Sequence, residues 1–152
     1  MRIDLLMEIF PNAKFIHIHR HPYKVVPSTI HMWNTVARQN RLKGTWKEPS
    51  VEEVSKGLNH MINEIRNSFE TIPVRNRTEI YFESFETNPV ESLKKIYADL
   101  DLVFKEEFEG KIRNYLSGLS NYKKNLFTLN EDDKNKIREI CSGQFDHYQY
   151  PH

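Results

Sequence analysis

An arginine and a serine that lie eight residues apart form the part of this sequence best suited to hold a phosphate group. Arg20 follows a short apolar run, residues 14–19, whose composition predicts a β-strand. Pro22 then begins a helical pattern that carries Ser28. A guanidinium is a permanently charged fork that matches phosphate oxygens, and the free N–H groups of a helix start add partial positive charge. The sequence therefore predicts a phosphate-bearing ligand at Arg20 and Ser28.

Four histidines surround this segment and are weaker candidates for chemistry. His17, His19 and His21 alternate, so an extended strand would place all three on one face. Imidazoles on one face can bind zinc, but no second shell can be named, and we expect hydrogen-bonded histidines and no metal. His31 lies one helical turn after Ser28 and could act as a base. We favour a structural histidine there as well.

The elements that must position these residues are mostly helices. Apolar periodicity predicts six helices, over residues 1–10, 22–36, 51–71, 89–100, 104–116 and from 131 onward. Residues 14–19 and 78–82 are the two strand candidates, and we expect them to be parallel. Two short strands make a poor sheet alone, which favours a domain whose first part is missing.

Residue choices at three helix starts predict side-chain caps. Ser50 and Glu53 form a capping box, and Asn88 precedes Pro89 with a glutamate placed to reach back. Asn130 is the predicted cap of the last helix, which would turn its apolar side chains, Ile137, Ile140 and Cys141, inward. Trp33 in the second helix is predicted to lie in the core.

Length and charge limit the organisation and the ligands. A chain of 152 residues can bury about 68–70% of its unfolded surface, so we expect residues 1–152 to form a single domain. Lys plus Arg number 22 and Asp plus Glu number 21, a balance that argues against a nucleic-acid partner. A nucleic-acid site is therefore disfavoured at the basic and aromatic residues of the following loop, Arg38, Arg41, Lys43, Lys47 and Trp46.

Cysteine usage and hydropathy indicate the compartment. Cys141 is the single cysteine, so neither a disulfide framework nor a cysteine-based metal site can form. No apolar run is long enough to span a bilayer, and the first residues lack a signal-peptide core. We expect a cytoplasmic chain without a transmembrane segment.

Two segments resemble a known enzyme family. FPNAKFIHIHRHPYKVVPST (10–29) resembles the segment of PAPS-dependent sulfotransferases that binds the 3′-phosphate of the donor, 3′-phosphoadenosine 5′-phosphosulfate (PAPS). There a strand leads into Arg-Asx-Pro and a serine follows eight residues after the arginine, as Arg20, Pro22 and Ser28 do. IYFESFETNPVESLKKIYADLDL (80–102) is similar to the family's strand end and proline-initiated helix.

The resemblance implies a fold, a reaction and a donor. The fold would be an α/β, P-loop-like sulfotransferase fold, partial and mostly helical with two short parallel strands. The reaction would transfer a sulfuryl group from PAPS, without a metal, to a hydroxyl or amine of a small-molecule, glycan or lipid acceptor. Arg20 and Ser28 would bind the 3′-phosphate, and Glu83 would have a structural role. Lys123 and Lys124 could close over the donor as a lid or form a solvated loop.

Departures from the family pattern limit this expectation. No Gly-, Ser- and Thr-rich loop for the 5′-phosphosulfate follows a basic residue, and His21 replaces the usual Asp or Asn. We therefore expect residues 1–152 to be the C-terminal portion of such a domain, with no assignable catalytic base. The alternative is a non-catalytic truncated helical module that binds a partner or a nucleotide without turnover.

Overall fold

Two parallel strands and eight α-helices form the part of the chain that the computed structural model describes, residues 3–40, 44–119 and 125–151. β1 (Phe15–His19) and β2 (Arg77–Tyr81) pair in register, with His19 opposite Tyr81. In chain order the helices are α1 (Ile3–Ile9), α2 (Pro22–Asn40), α3 (Val51–Thr71), α4 (Phe82–Thr87), α5 (Pro89–Asp99), α6 (Glu106–Ser117), α7 (Glu131–Ile140) and α8 (Ser142–Tyr148). The predicted class, mostly helical with two short parallel strands, is confirmed.

Three differences between the predicted and the observed elements exceed two residues. α2 continues to Asn40, because the residues after Val36 include good helix formers. The short helix α4 was not predicted and follows β2 directly. The last predicted helix is divided at Cys141 into α7 and α8, where Ser142 and Gly143 have low helix propensity.

The chain divides into two compact units. The first contains Met1–Arg20 and Ile65–Lys124, and the second contains His21–Glu64 and Asn125–His152. The sheet, α1, α4, α5 and α6 belong to the first unit, and α2, α7 and α8 belong to the second. The single domain over residues 1–152 stays a prediction.

Alternation along the strands gives the sheet of the first unit two packed faces. Phe15 packs against a cluster formed by α1 and the end of α3, and Ile80 packs against α5 through Ile96. Successive side chains of a strand point to opposite faces. Ile16 and Ile18 therefore share the face of Ile80, but both remain about half exposed.

The second unit has a core that joins α2 to α7 and α8. Its most buried side chains are at most 2% exposed: Val26, Ile137, Cys141 and Phe145. Burial raises the pKa of the Cys141 thiol to about 11. The thiol is therefore protonated at neutral pH and is not a reactive nucleophile.

Two of the three predicted helix caps are confirmed. The Ser50 hydroxyl accepts the Glu53 N–H at 3.1 Å, and the Glu53 carboxylate accepts the Ser50 N–H at 2.8 Å. The Asn130 side chain accepts the Asp133 N–H at 2.8 Å. These bonds satisfy N–H groups that a helix start would otherwise leave unpaired.

The predicted cap at Asn88 is wrong. Its side chain makes no cap hydrogen bond, and Glu91 pairs with Lys94 at 3.1 Å rather than reaching back. The backbone N–H of Asn88 donates to Ser84 and thereby ends α4, while its carbonyl accepts the Ser92 N–H and begins α5. Asn88 ends α4 and begins α5 at the same time. Its backbone therefore does not have the extended conformation that a capping residue usually has.

Candidate functional site

The strand register explains how Arg20 meets its partners. His19 lies opposite Tyr81 at the end of the parallel pair, so the residues that follow, Arg20 and Phe82, leave the sheet at the same edge. The Arg20 guanidinium lies over the Phe82 ring, 4.2 Å from its centroid. Its Nε donates to Glu83 Oε1 at 3.4 Å. Two neighbours from the start of α4 therefore orient the arginine.

This arrangement leaves part of the Arg20 fork available. The side chain is 36% exposed, and among the described residues only its Nε has a hydrogen-bonding partner. The two terminal nitrogens are the pair that binds phosphate oxygens in a bidentate manner. Glu83 stiffens the fork but also cancels part of its charge. Glu83, for which the sequence favoured a structural role, is thus in contact with Arg20.

Glu83 itself is incompletely satisfied. Its Oε2 atom is buried and accepts no hydrogen bond from the residues that the structure describes. Burial, followed by the nearby Glu83 carboxylate, raises the pKa of Tyr81. A buried carboxylate oxygen without a donor is costly.

The start of α2 does not offer the free N–H groups that the sequence predicted. The Tyr23 N–H donates to His21 Nδ1 at 3.1 Å, and the N–H groups of Lys24 and Val25 donate to the His21 carbonyl. Pro22 has no N–H. That expectation is therefore wrong, and the backbone at the start of α2 can act on an anion only through the helix dipole.

His21 caps the start of α2 at the position where the family pattern has Asp or Asn. Since Nδ1 accepts the Tyr23 N–H, its proton is assigned to Nε2, which lies 2.9 Å from the Pro151 carbonyl oxygen. The ring is 9% exposed and packs on Phe145 and Tyr150 at centroid distances of 5.2 and 5.1 Å. Sequence reasoning missed this role because a histidine cap depends on the contacts that orient its ring.

Ser28 lies half-buried on α2 with an unused hydroxyl. Within the described part of the chain its oxygen has no hydrogen-bonding partner, whereas Thr35 on the same helix donates to the His31 carbonyl at 2.9 Å. Pro27 precedes it and removes one helical N–H. The Ser28 hydroxyl is therefore available for a ligand.

Arg20 and Ser28 belong to different compact units. Arg20 ends the first segment of the first unit, and Ser28 lies in the second. The structure describes the surroundings of each separately. A shared phosphate between them stays a prediction.

His17 and His19 contact each other, with ring centroids 5.9 Å apart, and each also contacts a residue of β2. His17 is buried and bonds Glu79 through Nδ1 at 2.8 Å, and His19 stacks on the Tyr81 ring at 5.6 Å. β1 ends at His19, so His21 does not continue the row. Across residues 3–40, 44–119 and 125–151, no group of three or more His, Cys, Asp or Glu side chains is arranged to hold a metal.

Other predicted residues lie elsewhere or outside the described residues. His31 is exposed and contacts the Phe127 ring at 5.4 Å. The core position predicted for Trp33 is wrong, because the side chain is 48% exposed. Four of the basic residues named in the sequence predictions fall outside the described ranges: Arg41, Lys43, Lys123 and Lys124. None of the described helices has the length and apolar character needed to cross a bilayer.

The family can be assigned by comparison with known proteins. The model of a family described as "Sulfotransferase family" matches residues 1–106. The omega-hydroxy-beta-dihydromenaquinone-9 sulfotransferases Stf3 of Mycobacterium bovis and Mycobacterium tuberculosis are each 30% identical over 149 residues, 98% of this chain. The chain spans 38% of the length of these relatives.

A solved structure gives the fold. The crystal structure of the sulfotransferase STF9 from Mycobacterium avium matches 99% of this chain and 40% of its own length, with a TM-score of 0.76 and 19% sequence identity. That likeness shows the sulfotransferase fold. Since the family model covers more than half of the residues, the chain belongs to the sulfotransferase family.

Proposed function

We propose that this chain carries the 3′-phosphate-binding part of a sulfotransferase that moves a sulfuryl group from PAPS to a hydroxyl or amine acceptor. The observation that carries the proposal is the geometry of Arg20. Its guanidinium is held by Glu83 and Phe82 at the edge where both strands end, and its terminal nitrogens have no partner among the described residues. Ser28, eight residues later, would add one hydroxyl to the same phosphate.

The chemistry assigned to these residues is positioning. Transfer requires the donor phosphates to be held while the acceptor oxygen lines up with the sulfur, so orientation and charge neutralisation provide most of the rate. Arg20 would favour the 3′-phosphorylated nucleotide over analogues without that phosphate, because its cationic fork would then be left unpaired. No described residue is assigned as the base or as the 5′-phosphosulfate clamp.

The acceptor class is suggested by the relatives. The two curated relatives act on a hydroxylated, menaquinone-derived lipid according to their names. Among hydroxyl and amine acceptors we therefore favour a lipid alcohol. The second candidate function is nucleotide binding without turnover, because the contacts described at Arg20 are those of a binding residue and assign no catalytic base.

Calorimetric titration with adenosine 3′,5′-bisphosphate tests the donor site. Wild type should bind in a saturable manner, and Arg20→Ala should lose about 2 kcal/mol of binding free energy, since one charge-assisted contact is removed. Arg75→Ala removes an exposed arginine of the same unit and should bind like wild type. Adenosine 5′-monophosphate should bind Arg20→Ala and wild type equally. If wild type and Arg20→Ala bind the bisphosphate with equal affinity, the assignment of Arg20 to the 3′-phosphate is rejected.

Turnover separates the two candidate functions. A chain that binds the bisphosphate and also sulfates a lipid alcohol in the presence of PAPS is a sulfotransferase by itself. A chain that binds the bisphosphate through Arg20 without sulfating any alcohol would be the non-catalytic module.

A further inference from the structure

An apolar groove in the second compact unit has no role in the donor site. It lies between α2 and α3 and has a volume of about 540 Å³, which is within the usual range of small-molecule pockets. Its walls are mainly aromatic and aliphatic and include Val25, Trp33, Trp46 and Met61. Concave apolar surface exposed to water commonly marks a ligand site.

Local structure holds the groove open. Val25, Thr29 and Trp33 are spaced by four residues and therefore lie on one face of α2. Trp46 approaches from the loop before α3, and its indole N–H donates to Asn34 Oδ1 at 2.7 Å. Both indoles are nearly half exposed. The apolar faces of both indoles remain in contact with water, although the hydrogen bond to Asn34 fixes the orientation of Trp46.

A glycine in the wall keeps the groove wide. Gly57 lies in the interior of α3, where glycine destabilises a helix relative to alanine. A Cβ atom at this position would meet no atom within 4 Å. The missing side chain therefore leaves free volume in the groove at a cost in helix stability.

The polar groups of the groove disfavour an anionic ligand. They are the Thr29 hydroxyl and the Glu53 carboxylate, which already accepts the Ser50 N–H and hydroxyl. Hydrogen bonds from Ser50, followed by the charge of Lys47, lower the pKa of Glu53, so this carboxylate is negative at neutral pH. It would repel the carboxylate of a fatty acid. Thr29 immediately follows Ser28 in the sequence of α2.

We propose that this groove binds the hydrocarbon chain of an uncharged long-chain alcohol, with the hydroxyl at the Thr29 side. The inference rests on the proposed function, because the alcohol would be the sulfuryl acceptor. It also assigns a binding site and a substrate class to residues that the donor site does not use.

Intrinsic fluorescence reports on this groove directly, because the only two tryptophans of the sequence, Trp33 and Trp46, both line it. Titration of the full chain with geranylgeraniol should change the emission in a saturable manner. Gly57→Leu fills the groove and should weaken binding by roughly tenfold or more. Gly110→Leu is the matched control, since Gly110 lies in α6 and a Cβ there also meets no atom. Its affinity should equal that of wild type.

Several results of this titration would contradict the proposal. Equal binding by Gly57→Leu and wild type, or a linear fluorescence change, would overturn it, as would tighter binding of palmitate than of the alcohol. Concentration-dependent self-association that Gly57→Leu abolishes would show that a second copy covers the groove. If circular dichroism shows that Gly57→Leu is unfolded, Met61→Lys replaces it, because Met61 is half exposed.

The nucleotide titration keeps this inference separate from the proposed function. Gly57→Leu should bind adenosine 3′,5′-bisphosphate like wild type. Failure of wild type to bind the bisphosphate would reject the donor proposal while leaving the alcohol titration interpretable.

Discussion

Two helices of this chain begin at a proline, and their starts are stabilised in opposite ways. α2 begins at Pro22 after a histidine, and α5 begins at Pro89 after an asparagine. Residue preferences rank asparagine among the best caps. In the structure His21 accepts a helical N–H through its ring, and Asn88 accepts none through its side chain.

The difference lies in how the chain reaches each helix. α2 follows β1 by two residues, so the chain arrives extended, and a side chain can fold back over the first turn. α5 follows α4 directly, and Asn88 is shared by both helices through its N–H and its carbonyl. Capping preferences assume that the chain reaches the helix in an extended conformation, as it does at α2. The start of α2 is also fixed by a bond to the Pro151 carbonyl, which no local rule contains.

The largest expected effect is at His21. His21→Ala removes the bond to the Tyr23 N–H, the bond to the Pro151 carbonyl and a buried ring. We expect a loss of about 2–3 kcal/mol in the free energy of unfolding, measured with urea. His21→Asn restores a capping acceptor and should recover about 1 kcal/mol of the loss. No recovery would mean that the ring stabilises by packing alone.

The fold was predictable where local patterns and tertiary contacts agree. The existence of the two strands, the Ser50–Glu53 box and the Asn130 cap follow from the types of residues that lie close together in the sequence. α4 was missed because the five residues after Phe82, ESFET, are too few to show an apolar periodicity of their own. The core position of Trp33 was wrong because helical spacing shows which face a residue shares but not whether a neighbouring element covers that face.

The second prediction concerns the far end of α5. The Thr78 hydroxyl donates to Asp99 Oδ2 at 2.5 Å, and Lys95 bonds the same oxygen. α5 is therefore fastened to β2 near its last residue instead of being capped at its first. Thr78→Val should cost about 1–2 kcal/mol, because Thr78 is buried but Asp99 is partly exposed. Thr71→Val, which changes an exposed threonine, is the control and should cost less.

The hydrogen bond between Thr78 and Asp99 also predicts that the stability of the fold depends on pH. Hydrogen bonds from Lys95 and then Thr78 lower the pKa of Asp99 below its usual value of 3.8. A carboxyl with a lowered native pKa stabilises the fold above its unfolded pKa, and this contribution is lost as the pH falls below that value. Thr78→Val should bring the pKa of Asp99 closer to 3.8 in an NMR titration. An unchanged pKa would show that Lys95 alone sets it.

The third prediction concerns the start of α3, where the residue preference for capping and the structure agree. Ser50→Ala removes the hydroxyl that accepts the Glu53 N–H and should cost about 1 kcal/mol in urea unfolding. Ser117→Ala, at an exposed helix end, is the matched control with a smaller expected loss. A cost as large as that of His21→Ala would contradict the idea that tertiary bonds add to the cap of α2.

The candidate site shows the same limit of sequence reasoning. Arg20 was found because a strand, an arginine and a proline have a recognisable order. Its contact with Phe82 required the register of two strands that lie sixty residues apart in the chain, and only the parallel pairing of His19 with Tyr81 supplies that register. The available hydroxyl of Ser28 could not be predicted, since a serine in a helix often bonds back to a carbonyl.

The smallest expected effect is at Asn88, and it is the most direct test of the comparison. An asparagine that caps a helix costs about 1 kcal/mol when it is replaced by alanine. Because the exposed side chain of Asn88 makes no cap bond here, Asn88→Ala should change the free energy of unfolding by less than about 0.5 kcal/mol. Asn130→Ala is the positive control, since that side chain accepts the Asp133 N–H. Equal losses for the two variants would show that Asn88 caps α5 in solution, and the contrast with His21 would then disappear.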